Sequence, residues 1–390
     1  MYEWSTNELD WRAKIIDFAQ EQINPGAVER EQNGTFDRDV WKACGRLGLT
    51  GWIVPEQYGG KASTALSTVR MLESLGYASD DLGLNFGIAA HLLAVVVPIL
   101  KFGTEDQQGR LLSFLSDGTS IGGNAITERS AGSDVFNMST KAEFVQGAYQ
   151  LNGVKTYCSN GKNANLILTY AQTHPNKGFF GGISAFILEG DRTVFKWSDE
   201  KSKLGLRSCS LAEVIMQDTL VEPRNRLGEE GAGGPIFNYS MDWERACLGG
   251  IHLGAMDRLL ELAVTFSNER FAGGYNLSSR QAISHPLANF KIRLEGARLL
   301  TYQAAAAIDR GDKRNRFCSL AKVAVSECYR DLCMQLMQVF AGSAYETPNR
   351  IETHLRAAIA GTIYSGTSEI HRNLVANDIG LRAKVDKSHE

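Results

Sequence analysis

Residues 231–250 read GAGGPIFNYSMDWERACLGG. The stretch opens on a glycine cluster that no helix keeps in its interior, where each glycine costs about 1 kcal/mol against alanine. It then turns periodic: Ile236, Phe237, Met241, Trp243, Cys247 and Leu248 recur among polar residues at helical spacing. Irregular chain ends here and a long helix begins. Glu244 sits in the middle of that helix, followed at once by Arg245. A carboxylate so placed is either a solvated surface group or a base on a rigid element, its pKa set by burial and neighbours. The rest of the chain decides between the two.

Upstream, residues 121–226 alternate short runs of β-formers with turn residues. Tyr149-Gln150-Leu151 and Val154-Lys155-Thr156-Tyr157 flank Asn152-Gly153, a spacing that predicts a hairpin turning at that dipeptide. Residues 166–170, 184–188 and 214–216 read as further strands of a small barrel or sandwich. Before them the chain is helical. Residues 5–8, Ser-Thr-Asn-Glu, form a capping box for a helix running to Gln22 and ended by Asn24-Pro25-Gly26. Further helices are expected over 37–47, 64–77 and 105–115, with a buried one over 84–100. The apolar run 88–100, broken by His91 and Pro98, reads as too short to span a bilayer. Downstream, periodicity predicts helices over 237–270, 284–309, 314–341, 351–360 and 367–380, an antiparallel bundle, with a frayed polar tail over 384–390. The fold class is α+β in three domains: 1–120 helical, 121–230 β, and 231–390 a helical bundle.

A chain of 390 residues with net charge −3 and no long basic run gives no footing for nucleic acid or a membrane surface. Seven scattered cysteines show neither C-x-x-C spacing nor histidines at zinc-ligand distance, so reduced, buried thiols in a cytoplasmic protein without a metal are expected. The N-terminus lacks a signal-peptide pattern. Neither a G-x-G-x-x-G fingerprint nor a Walker loop is present, which argues against Rossmann and P-loop enzymes.

Three loop motifs stand out. Residues 124–134 (NAITERSAGSD) offer hydroxyls and pliable backbone for a polar edge, although such loops are most often only loops. Residues 157–161 (YCSNG) join an aromatic to a hydroxyl, fit to cover a planar ring or simply to pack on the core. In residues 363–370 (IYSGTSEI), Gly366 breaks the chain and Thr367 is a good N-cap, whose helix would favour nearby oxygens.

Taken in order, these motifs resemble the acyl-CoA dehydrogenase superfamily over nearly the whole chain. The ordered set is Val54-Pro55-Glu56 with Tyr58-Gly59-Gly60; Ile126-Thr127-Glu128 with Ala131-Gly132-Ser133-Asp134; Tyr157 to Gly161; Lys203-Leu204-Gly205; Leu227-Gly228 with Glu230-Gly231; Arg270 with Gly274 and Gln281; Gln338-Val339-Phe340 with Gly342; and Tyr364-Ser365-Gly366-Thr367. The resemblance implies an N-terminal helical domain, a middle β domain and a C-terminal four-helix bundle. It also implies noncovalent FAD, held with help from an adjacent subunit of a homo-oligomer, taken as a tetramer. It places Thr127, Ser133, Tyr157 and Ser159 at the flavin, Tyr157 standing where the family usually has Trp. Thr367 and Glu369 fall at cofactor positions of the last motif. Arg270, Gln281, Gln338 and Gly342 fall where FAD of a neighbouring subunit is reached. Two departures are visible. The family's Phe before Gly274 is missing from Phe271-Ala272-Gly273-Gly274-Tyr275, and Ala357 replaces the Asp that usually follows Arg356.

The decisive departure is Ser365. Many members carry their catalytic Glu there, and a serine cannot accept an α-proton at neutral pH unaided. Isovaleryl- and long-chain-type members place the base on the bundle helix, immediately before an Arg. Glu244 matches that position, with Arg245, Ser365 and Tyr364 beside the substrate. The resemblance further implies that a backbone N–H near position 365 and a ribityl hydroxyl of FAD stabilise the charge on the thioester oxygen.

A narrower likeness is visible in Asp80-Asp81-Leu82-Gly83-Leu84-Asn85-Phe86, Ala90-His91-Leu92 and Gly233-Gly234-Pro235-Ile236-Phe237 with Ser240-Met241 and Trp243-Glu244. It is similar to the carrier-protein branch, whose enzymes oxidise acyl or aminoacyl groups, prolyl among them, on a phosphopantetheine carrier in secondary metabolism. His91 reads as a core or pocket-edge residue. Arg129, where the family often has Pro, is either a solvated side chain or a contact for a carrier phosphate. Two alternatives stay open: a dehydrogenase for a short or branched acyl-CoA, and a flavin monooxygenase or non-catalytic relative. The electron acceptor is electron-transfer flavoprotein or oxygen.

Overall fold

The computed structural model describes residues 3–178, 180–312 and 316–381; the tail over 384–390 lies outside them. Helices lead: α1 (Thr6–Phe18), α2 (Ala27–Asn33), α3 (Arg38–Leu47), α4 (Ala65–Ala78), α5 (Leu82–His91), α6 (Val97–Phe102) and α7 (Glu105–Ser116). The strands follow: β1 (Gly122–Ala125), β2 (Lys141–Val145), β3 (Ala148–Ser159), β4 (Leu166–Gln172), β5 (Ile183–Glu189), β6 (Lys196–Trp197), β7 (Leu211–Val221) and β8 (Arg226–Leu227). Then come α8 (Gly233–Cys247), α9 (Gly249–Glu269), a small hairpin of β9 (Phe271–Ala272) and β10 (Tyr275–Asn276), α10 (Gln281–Asp309), α11 (Phe317–Phe340), α12 (Gly342–Tyr345), α13 (Arg350–Gly361) and α14 (Ser368–Asp378).

The capping box at Ser5 forms: its hydroxyl accepts from the Glu8 N–H, and the Glu8 carboxylate accepts from the Ser5 N–H. A π-turn over Leu92–Val96 joins α5 to α6, so the apolar run lies in one helical path of 21 residues. That is long enough to cross a bilayer, which corrects the expectation from length. Its side chains are spent inside the protein instead: Ile88, Leu92, Leu93, Val95, Val96 and Ile99 are fully buried.

The hairpin expected at Asn152-Gly153 is not there. The chain turns at Gln146-Gly147, both with positive φ, and β3 runs straight through Asn152-Gly153. The register of β3 on β7 shifts at Gly153, and a Cβ on that residue would come within 2.3 Å of Thr140 Oγ1. The dipeptide marks a bulge and a close approach, the other use of glycine inside a strand.

The sheet runs β6-β7-β3-β2-β4-β5-β8, with β1 parallel to β4. Leu166, Leu168 and Tyr170 of β4 and Ile183, Ala185 and Ile187 of β5 join the helical core. Ile167, Ala171, Phe186 and Leu188 face the other way, packing with Leu151, Cys158, Val214 and Met216 in a second core. Burial on both faces is why these two strands read as unbroken apolar runs.

The single helix expected over 237–270 is two, α8 and α9, divided at Leu248. α9 lies close against α4: a Cβ on Gly254 would fall 1.9 Å from the Glu73 carbonyl oxygen, and one on Gly76 2.0 Å from that of Ile251. The Asp309 carboxylate, at the end of α10, accepts from the Ala65 and Leu66 N–H groups and so caps α4 from across the molecule. Arg298 reaches Glu73, Asp257 and Glu295, and Tyr302 donates to Glu73 at 2.7 Å. These contacts fix the N-terminal helices on the bundle. All seven cysteines are buried and free.

Candidate active site

α8 enters the site from the surface of β5: a Cβ on Gly233 would come within 2.7 Å of the Ile183 carbonyl oxygen, so the glycine cluster lets the helix start against the sheet. Phe237, Met241 and Glu244 follow at spacings of four and three residues, about two turns along one face of the helix. Phe237 packs edge-on against Tyr170 of β4. Glu244 keeps partial exposure in an otherwise dense surround, as a side chain at the floor of a cleft does. The cleft is lined by Glu244, Arg245, His252, Lys322, Tyr364 and Ser365.

The Ser365 hydroxyl donates to Glu244 Oε2 at 2.6 Å. Burial pushes the Glu244 carboxyl up to about 7, against smaller opposing effects of the Ser365 hydrogen bond and the Arg245 cation. A carboxylate at this value is half ionised near neutrality, where a general base works best. Arg245 has Asp242 at 3.8 Å as its ion-pair partner. Ser365 itself holds φ = 54°, a left-handed backbone that non-glycine residues adopt only when the surroundings impose it. His371 Nε2 donates to the Ser365 carbonyl at 3.0 Å, and Lys322 Nζ to the Gly366 carbonyl at 2.6 Å. Thr367 caps α14 through the Ile370 N–H, as its sequence position suggested.

Thr127 lies against β3, the strand that carries Tyr157 and Ser159. The Thr127 carbonyl accepts from the Thr156 N–H at 2.8 Å, which brings the 124–134 loop against the end of β3. Glu128 anchors that loop. Burial alone would raise its pKa, but Lys155 at 2.8 Å and the hydroxyls of Ser139 and Thr140 hold it at about 2. Tyr157 stands 60% exposed at φ = 56°, with Lys201 Nζ 5.5 Å from its ring centre. Ser159 is half-buried and Ser133 exposed. Arg129 is exposed and paired with Glu213, as a solvated side chain would be. His91 is a core residue: Nδ1 accepts from the Gly122 N–H and Nε2 bonds the Thr50 carbonyl.

Arg270, Gln281, Gln338 and Gly342 are not brought to Glu244. They lie exposed at the far end of the bundle, where Phe266 of α9 stacks on Phe340 of α11. The 21 residues of α9 put that end about 30 Å from the cleft. Glu369 is exposed on the first turn of α14.

The sequence-predicted residues thus fall into two separate groups, Thr127, Tyr157 and Ser159 by the 124–134 loop and Arg270, Gln281, Gln338 and Gly342 at the far end of the bundle. Matches to the acyl-CoA dehydrogenase N-terminal domain (residues 5–119), middle domain (123–219) and C-terminal domain (231–380) cover this architecture in order. The chain belongs to the acyl-CoA dehydrogenase family. It is accordingly an FAD-dependent oxidoreductase. Among similar proteins, an L-prolyl-[peptidyl-carrier protein] dehydrogenase of Pseudomonas fluorescens is 38% identical, over 97% of this chain and all of the relative. The crystal structure of the prolyl acyl carrier protein oxidase AnaB matches with TM-score 0.94 at 35% identity, over 97% of this chain and all of that one. PigA with FAD and proline matches with TM-score 0.94 at 32% identity, over 98% and 100%.

Lys322, His371, His252 and Tyr170 were not singled out from sequence as site residues. Lys322 carried the clearest signal, a lysine among the apolar positions Cys318, Ala321 and Val325 of one helix face. The histidines carried none, since an isolated histidine on an apolar face is ordinarily core.

Proposed function

We propose that this chain oxidises a prolyl group held as a thioester on a phosphopantetheinylated carrier protein, with Glu244 removing the α-proton. The observation that carries the role of Glu244 is its 2.6 Å hydrogen bond from Ser365, on a half-buried carboxylate whose pKa stands near 7. The prolyl carrier substrate is supported by the names of the similar proteins. FAD, when bound, supplies the acceptor for the hydride leaving the β-carbon. Thr127, Ser133, Tyr157, Ser159, Thr367 and Glu369 would hold its flavin part.

The chain's own work begins with the base. Burial keeps Glu244 basic enough to take a carbon-bound proton, while Ser365 keeps one oxygen oriented and leaves the other for the substrate. An N–H near position 365 stabilises the negative charge that develops on the thioester oxygen. Tyr364 and Arg245 line the acyl cleft. Arg270, Gln281, Gln338 and Gly342 serve the FAD of an adjacent subunit in a homotetramer. This is supported by their exposure far from Glu244 and by the apolar side chains left outside on the same helices, Ile292, Leu299 and Met334. We divide the chain into domains at 120/121 and 230/231 and place it in the cytoplasm.

Anaerobic mixing of holoenzyme with prolyl-carrier protein, other aminoacyl carriers and the matching CoA thioesters tests the substrate. Bleaching of the flavin by the prolyl carrier is expected; bleaching by CoA esters alone would transfer the protein to acyl-CoA oxidation. Reoxidation by air or only by electron-transfer flavoprotein then identifies the acceptor.

A further inference from the structure

One histidine of the cleft has no part in the chemistry above. His252, on the first turn of α9, is buried, and its Nε2 shares a 2.8 Å hydrogen bond with the Tyr364 hydroxyl. Its ring stacks on Tyr329 at 4.9 Å, and the Tyr329 hydroxyl bonds His354 Nδ1 at 2.5 Å. Gly361 makes the room: a Cβ there would stand 2.9 Å from His252 Cε1. On its other side Tyr364 packs against Phe86 at 4.7 Å. The imidazole is therefore packed against Tyr329 and Gly361 and hydrogen-bonded to the Tyr364 phenol.

Tyr364 immediately precedes Ser365, whose left-handed backbone costs on the order of 1–3 kcal/mol and persists only if its surroundings hold it. Three side chains do so. His371 takes the Ser365 carbonyl, Lys322 takes the Gly366 carbonyl, and His252 takes the Tyr364 side chain. The first two grip backbone; His252 holds the hydroxyl end of Tyr364, on the N-terminal side of the turn, whose N–H bonds the Ala360 carbonyl and whose ring packs on Phe86. We propose that His252 is a positioning residue for the base: by fixing Tyr364 it keeps the strained turn in the arrangement that aims the Ser365 hydroxyl at Glu244. The inference rests on the reading of Glu244 as the base.

Its consequence is a pH dependence. The ionisable groups around Glu244 are Arg245 and Asp242 on α8, Lys322 on α11, His252 on α9, His371 on α14, Tyr364 after α13 and Tyr170 on β4. Burial, with Lys322 nearby, pushes His252 down to about 3, so it stays neutral and does not itself titrate in the working range. The hydrogen bond from Ser365 lowers the Glu244 pKa. A loosened turn weakens that bond, and the carboxyl rises further.

The test is the pH profile of anaerobic flavin reduction by prolyl-carrier protein, on holoenzyme. His252→Phe keeps a ring and loses the hydrogen-bond partner of Tyr364. It is expected to move the acid limb upward by roughly one unit, the size of one hydrogen bond to a charged group. Ser365→Ala is expected to move it equally, and the double variant no further than Ser365→Ala alone. His252→Gln, which returns a polar group near the Nε2 position, restores the wild-type limb. Should His252→Phe not fold, Tyr364→Phe breaks the same bond from the other end and carries the same expected shift. An unmoved limb in the folded variant, or additive shifts in the double variant, would overturn the inference. If Glu244→Gln retains turnover, the base assignment falls and this inference with it. If that variant is inactive while the His252→Phe limb is unmoved, only the inference falls.

Discussion

Glu244 is proposed as the base because of what stands at another position. Ser365 occupies the place where the family resemblance puts a catalytic Glu in many members, and Glu244-Arg245 matches the alternative position on the bundle helix. What the sequence could not tell was how the two positions meet. Ser365 and Glu244 are 121 residues apart, and the bond between them depends on a left-handed turn that no local pattern announces. The folded pKa of Glu244, about 7, lies above its ordinary 4.5. The folded protein thus binds more protons between those values, and stability falls as pH rises through that window and stays reduced above it. Glu244→Gln removes the penalty. At pH 8 it should be more stable than wild type by about 2–3 kcal/mol, and at pH 4.5 equal to it, as read by denaturant unfolding at the two pH values.

At the scale of elements, the helices with strong apolar periodicity were found close to their true ends, α3 and α4 among them. α2 was missed, because Ala27–Asn33 is short and polar and has no periodicity to find. Asn152-Gly153 misled for a different reason: glycine is used both for turns and for close approach, and only the packing of Thr140 tells which. The 124–134 loop is held by an ion pair that sequence separation hid, Glu128 with Lys155, neither of them accessible to water. Lys155→Met should leave Glu128 charged, buried and short of its cation, and cost about 3–5 kcal/mol in denaturant unfolding. A loss below about 1 kcal/mol would mean that the hydroxyls of Ser139 and Thr140 suffice.

For the whole molecule, the helical and β regions and their order were readable from the change of period alone. The arrangement between them was not, since it depends on contacts such as Asp309 capping α4 and Arg298 reaching Glu73 across more than two hundred residues. The proposed FAD residues fall into two groups about 30 Å apart, and one chain's bundle end is read as serving another's flavin. Ile292→Asp with Leu299→Asp, on the outer face of α10, should reduce the oligomer in light scattering. It should also lower the FAD retained on desalting, though neither residue is near the cleft. Full FAD content in a monomeric variant would contradict that arrangement.

The most direct measurement is single-turnover, anaerobic flavin reduction by prolyl-carrier protein in wild type and Glu244→Gln, each with FAD content and unfolding midpoint recorded beforehand. The account predicts a folded, yellow variant whose rate falls by about 10³-fold, within the range for loss of a positioned general base. A variant reduced at the wild-type rate would show that the proton leaves to another group and that the bundle-helix carboxylate is only structural.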